Sequence, residues 1–170
     1  MSKTVYQRLA LGNYLDLTVP TATAEYTLGV EVEMLVSGET AKKVYKYVKA
    51  GSALTAKGAY VIANTGTPGA EVTTAAPATT AVPVQGCVAN VAFTSGYYGF
   101  VQIEGDTTVV STGATTKLNT ATLANGVTTV TDEAGTTETA LTVGIFKDTL
   151  GATGDATLYL LGNGKKVTIA

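Results

Sequence analysis

Apolar and polar positions alternate with a period of two in short runs, and turn-forming residues close each run. Residues 31–36 read as a strand, Ser37-Gly38-Glu39-Thr40 as a turn, and residues 43–49 as a second strand. In that second strand Val44, Lys46 and Val48 share one face, while Lys43, Tyr45, Tyr47 and Lys49 share the other, as a pleated chain requires. Residues 59–63 (Ala-Tyr-Val-Ile-Ala) predict another short strand, followed by a loop at 64–69. Helical spacing of apolar residues is offered only by residues 21–35, and Gly29 with its β-branched neighbours argues against a helix there.

Two Asn-Gly pairs stand where a two-residue hairpin turn wants positive φ. Asn125-Gly126 separates Thr122-Leu123 from residues 127–130, and Asn163-Gly164 separates residues 157–160 from 167–169, so both predict hairpins. Residues 73–83, rich in Thr, Ala and Pro, read as an extended loop over the sheet or as a boundary between subdomains.

The chain also looks duplicated. Val84-Gln85-Gly86-Cys87-Val88 runs to Gly96 and on to Gly105; Leu141-Thr142-Val143-Gly144-Ile145-Phe146 runs to Gly154 and on to Gly162. The glycine spacings agree (96 − 86 = 10 and 154 − 144 = 10), and a Thr/Ala-rich hairpin region, 51–81 or 113–140, precedes each copy. The expected fold is all-β: compact β-sandwich or β-barrel-like modules built from hairpins, with an extended N-terminal arm. The divisions are an arm at 1–24, one β module at 25–112 and a second at 113–170, or one continuous β domain.

Composition narrows the chemistry. Among 170 residues there is no histidine and no tryptophan, and Cys87 is the one cysteine. Without imidazole the commonest general base and metal ligand is missing, and neither a Ser-His-Asp nor a Cys-His site can be built within the chain. A single cysteine permits no intrachain disulfide; in an apolar strand it is most simply a small buried hydrophobe. No catalytic, cofactor or metal site is therefore expected, nor an enzyme. Charged residues make up 14%, well under the ~25% usual for soluble domains. The formal net charge is −2, so nothing in the balance favours nucleic acid or an anionic membrane. The N-terminal residues do not lead into an apolar stretch of signal-peptide length, and folding in a cytoplasm is the expectation.

The remaining candidates each have a plainer reading. Lys42, Lys43, Lys46 and Lys49 with Tyr45 and Tyr47 could bind single-stranded nucleic acid by charge and stacking, or form a lysine-protected edge strand. Glu104 and Asp106 could be imagined as a glycosidase pair; Asp132, Glu133, Asp148 and Asp155 lack the alternating spacing of a calcium loop and read as turn formers. Tyr97 and Tyr98, in Gly96-Tyr97-Tyr98-Gly99-Phe100, could stack on sugar rings, or pack on neighbouring strands or another subunit.

Residues 25–31 (Glu-Tyr-Thr-Leu-Gly-Val-Glu), followed by Lys43 to Leu54 with its Tyr-x-Tyr-Val-Lys-Ala core, resemble the opening of small tailed-phage head accessory proteins. Gly86-Cys87-Val88-Ala89 through Gly96-Tyr97-Tyr98-Gly99-Phe100-Val101-Gln102-Ile103-Glu104-Gly105 resembles a further stretch of the same family. The resemblance covers about residues 25–105. It implies a capsid decoration (cement) protein that sits on the outer surface of the head, bridges major capsid protein subunits and is commonly a trimer. An attachment surface is expected in the N-terminal arm, at Tyr6, Leu9, Leu11 and Tyr14, with Tyr97 and Tyr98 as further protein-binding candidates. The alternative is a receptor- or carbohydrate-binding module of a tail fibre or surface appendage, with Tyr97, Tyr98 and Tyr60 on one exposed face.

Overall fold

The computed structural model describes residues 16–35, 42–63, 71–73, 85–124, 127–133 and 141–162. Those residues are all-β. Ten strands follow in order: β1 (Glu31–Leu35), β2 (Lys42–Ala50), β3 (Gly58–Ala63), β4 (Glu71–Thr73), β5 (Gln85–Ala89), β6 (Tyr98–Ser111), β7 (Thr120–Leu123), β8 (Thr131–Glu133), β9 (Leu141–Phe146) and β10 (Gly154–Leu161). They form one sheet in the order β1-β2-β4-β3-β5-β6-β10-β9-β7-β8, with an additional β2–β6 pairing. Every ladder is antiparallel except β2–β4.

That additional pairing closes a ring. The path β2-β4-β3-β5-β6 returns to β2 through an antiparallel ladder from Val44↔Glu104 to Lys49↔Tyr98. A second ring follows, β6-β10-β9-β7-β8, and it returns to β6 through a parallel bridge between Val130 and Ser111. The 14-residue β6 therefore serves both rings, pairing with β2 in its first half and β10 in its second. Closing a sheet on itself removes the unpaired edges that an open sheet of threonine-rich strands would expose.

The two rings repeat each other residue by residue. Ala50 pairs in parallel with Val72 as Ser111 pairs with Val130. Leu54 and Phe93 exchange two backbone hydrogen bonds (3.0 and 2.9 Å), and so do Thr115 and Leu150 (both 3.0 Å). Lys57 and Leu118 both take positive φ, 61° and 74°, and donate from their N–H to Ala89 O and Phe146 O. Gly105 (φ 91°) and Gly162 (φ 74°) end the matching stretches of β6 and β10. The offset is 61 in the first half of the unit (118 − 57) and 57 in the second (162 − 105), because the stretch from Lys57 to Ala89 is four residues longer than that from Leu118 to Phe146.

The duplication read from sequence is therefore real, but the register set by its earlier glycines is not. At an offset of 57, Gly86 matches Val143 and Gly96 matches Thr153; pairing them with Gly144 and Gly154 is one residue out, which in a strand exchanges the two faces. The glycines answer different local demands. Gly96 takes φ 83° in a turn, and a Cβ on Gly86 would lie 2.6 Å from Val143 Cγ1. At Gly144 a Cβ would collide with Leu158 Cδ1 and the Tyr159 carbonyl. The Asn125-Gly126 hairpin is also corrected. The strand that returns against β7 is β8, with Thr122 opposite Thr131, while Val130 and Thr128 hydrogen-bond across to β6 and β3. Asn163-Gly164, the turn at 37–40, the loop at 64–69 and the stretch at 74–83 lie outside the described residues.

Each ring fills its interior with alternate side chains. The first holds Val48, Ala50, Leu54, Tyr60, Ile62, Val72, Cys87, Ala89, Phe93, Val101 and Ile103. The second is built on Val109, Leu123, Leu141, Phe146, Leu158 and Leu160, and the outward Ala59, Val61 and Val88 of the first ring join that cluster, so the rings share an apolar interface. The third core lies outside the first ring. Residues 16–35 fold over the β2–β6 face, where Tyr26, Val32, Tyr45, Tyr47 and Phe100 pack together. Tyr26 meets Tyr47 edge-on at 5.1 Å between ring centroids and Phe100 at 5.5 Å, geometry that adds about 0.5–1.5 kcal/mol per pair beyond area burial.

Candidate interaction surface

The sequence candidates separate once the rings are in place. Tyr6, Leu9, Leu11 and Tyr14 lie outside the described residues. Tyr97 and Tyr98 follow the turn at Gly96 and are both half-buried. Tyr98 exchanges backbone hydrogen bonds with Thr21 (both 2.8 Å) and stacks on Tyr47, so it is part of the seam with the N-terminal layer. Tyr60 does not join them on any exposed face. Even-numbered positions of β3 point into the first ring, where Tyr60 is fully buried and its hydroxyl oxygen accepts from Thr55 N at 2.6 Å. A sugar platform of Tyr97, Tyr98 and Tyr60 is therefore ruled out by the pleat.

The basic strand is equally committed. Tyr45 and Tyr47 lie beneath the N-terminal layer and offer no stacking surface. Lys42 meets Glu33 at 2.9 Å and Lys46 meets Glu31 at 3.1 Å across the β1–β2 ladder; Glu33 raises the pKa of Lys42. Lys46 also donates to Gln85 Oε1 at 3.0 Å.

Carboxylates act as fasteners. Asp106 is ion-paired with Lys147 and Asp155 with Lys57. Asp132 accepts from Thr116 N at 2.6 Å, and Asp148 from Thr157 N at 2.9 Å. No group of three or more potential metal ligands occurs among the described residues. Cys87 is fully buried, and desolvation pushes its thiol far above the usual range, which keeps it from acting as a nucleophile.

One network went unread in the sequence. Gln102 is fully buried at the junction of the rings, where β6 kinks at Gly105 and the β2–β6 register shifts between Val44 and Tyr45. Its Nε2 donates to Glu104 O (3.1 Å) and Asp106 O (2.8 Å), and its Oε1 accepts from Asn90 Nδ2 (3.1 Å). Thr107 Oγ1 then donates to Asn90 Oδ1 at 3.2 Å. The amide thus holds the two carbonyls that flank the kink. Nothing in a lone Gln within an apolar run signals that role.

What the described residues leave for outside contact is a mixture of apolar and polar side chains. Large apolar side chains are exposed at Val19, Leu118, Val127, Tyr159 and Leu161. Tyr159 and Leu161 sit on the outward face of β10, beside Asp106 and Glu104 of β6. The remainder of that face is polar, with exposed Thr108 and Asp155 and half-buried Thr157.

No protein-family model and no curated protein sequence matches this chain. Among solved structures, the crystal structure of the head fiber gp8.5 N base in bacteriophage phi29 superposes with a TM-score of 0.48 at 14% identity, over 74% of this chain and 99% of that one. A superposition of that size assigns no function.

Proposed function

We propose that this chain is a virion structural protein: a decoration, or cement, protein that binds the outer surface of a phage head and stabilises contacts between major capsid protein subunits. The observation that carries the reading is where the family resemblance falls. Tyr26 and Gly29 of the first motif, Tyr45 and Tyr47 of the second, and Phe100 and Gly105 of the third are the residues that build the N-terminal layer, the aromatic seam and the β6 kink. The resemblance thus traces one physical unit, a closed ring with its cover, rather than scattered short matches. The low charge density and the double ring agree with a part that works by rigidity.

The mechanism is additive. Each copy buries modest area at a junction between subunits, and the symmetry of the shell repeats that contact many times, so weak single contacts sum to a large stabilisation. A trimer is the expected solution state. Shells assembled from the major capsid protein of the source phage, mixed with purified protein and sedimented, provide the test. Saturable co-sedimentation and a raised disruption temperature of the shells are expected; protein that stays in the supernatant at every concentration would refute the reading.

A further inference from the structure

The tip of the second ring contains a conflict between residue and conformation. Among the described residues, Lys57 and Leu118 are the non-glycine residues with positive φ. They hold matching positions in matching turns, closed by Gly58 N donating to Thr55 O and Asn119 N donating to Thr116 O. Positive φ at the third position of such a turn suits Gly or Asn and is unfavourable for a branched apolar side chain. In the first ring the position has a local use: Lys57 reaches Asp155 in an ion pair. In the second ring Leu118 is 77% exposed. Backbone strain and exposure of a large apolar group are both unfavourable, and the described residues leave the leucine side chain largely uncovered.

The conformation is nonetheless firmly imposed. Thr116 N donates to Asp132 Oδ2 (2.6 Å), Lys117 N to Thr149 Oγ1 (3.0 Å), Leu118 N to Phe146 O (2.8 Å) and Asn119 N to Thr116 O (3.1 Å). Four consecutive N–H groups are thus spent on holding the tip, and the leucine projects from a rigid support with exposed Lys117 beside it. Strain that the surroundings over-determine is characteristic of binding positions, and a pre-ordered anchor loses little entropy on docking.

We infer that residues 116–119 form a docking anchor, in which Leu118 enters an apolar pocket on a protein partner and Lys117 faces carboxylates at the rim of that pocket. The inference rests on the capsid-binding reading and takes the partner to be the shell protein. The test compares wild type with Leu118→Asn, Lys117→Glu and, as a control in the matching turn, Lys57→Ala, in co-sedimentation with shells of the major capsid protein and in thermal unfolding. Asparagine tolerates positive φ, so Leu118→Asn should unfold at or above the wild-type temperature while its shell affinity falls at least ~10-fold, as for a central apolar anchor. Lys117→Glu should weaken binding more at low salt than at high salt, and Lys57→Ala should bind like wild type. Wild-type protein that binds shells while Leu118→Asn binds within twofold of it overturns the anchor alone. Wild-type protein that does not bind shells overturns the capsid reading and the anchor with it.

Discussion

The two rings share a backbone and differ in what lies over it. Opposite each other on the β2–β6 ladder stand Tyr47 and Phe100; at the matching places on the β6–β10 ladder stand Thr108 and Thr157. The aromatic pair is 2% and 3% exposed beneath the N-terminal layer, whereas Thr108 is open to solvent. Inside, the matching pairs Val48 with Gly99 and Val109 with Ala156 are buried in both rings. The inward positions and the turns therefore specify the ring, and the outward positions specify what covers it. One architecture can carry a sealed face and an open one side by side.

The sharpest way to break this contrast is Phe100→Ala, which opens a void under the N-terminal layer. It should cost about 3–5 kcal/mol, read as a lowered urea midpoint. Next comes Gln102→Leu, which strands the carbonyls of Glu104 and Asp106 at the kink between the rings; a loss of about 2–4 kcal/mol is expected. An intact urea midpoint in that variant would show that the kink needs no clamp. Gly86→Ala drives a methyl into Val143 across the ring interface and should cost about 1–3 kcal/mol. Adding Val143→Ala should recover part of that loss, a non-additivity that measures how tightly the rings are coupled. The smallest effect belongs to Thr157→Ala on the open face, within about 0.5 kcal/mol. A large loss there would mean that the face is covered after all.

Much of the strand content could be read from the sequence because period-two alternation reports burial directly. The runs at 31–36, 43–49 and 59–63 correspond to β1, β2 and β3 to within a residue or two. The duplication was visible through its closing glycines, Gly105 and Gly162, whose positive φ favours that residue type. It slipped in register at Gly86 and Gly144 because those glycines are set by neighbours distant in sequence, a constraint that local pattern does not encode. Tyr60 misled for a related reason: alternation gives two faces but does not say which one a ring encloses. The Asn125-Gly126 pair suggested a tight hairpin, yet ring closure draws Val130 away to Ser111 before β8 turns back. Leu118 carried no sequence signal, since an exposed leucine is ordinary until its backbone angle is known.

The sharing of β6 has a mechanical consequence. Two domains joined by a linker pass force through side-chain contacts or a slack tether. Here a pull on one ring enters the other along the covalent backbone of a single extended strand, loaded lengthwise against antiparallel ladders on either side. Those ladders resist in shear, with many hydrogen bonds strained together rather than peeled one by one. The molecule behaves as a tie rod between two stiff collars.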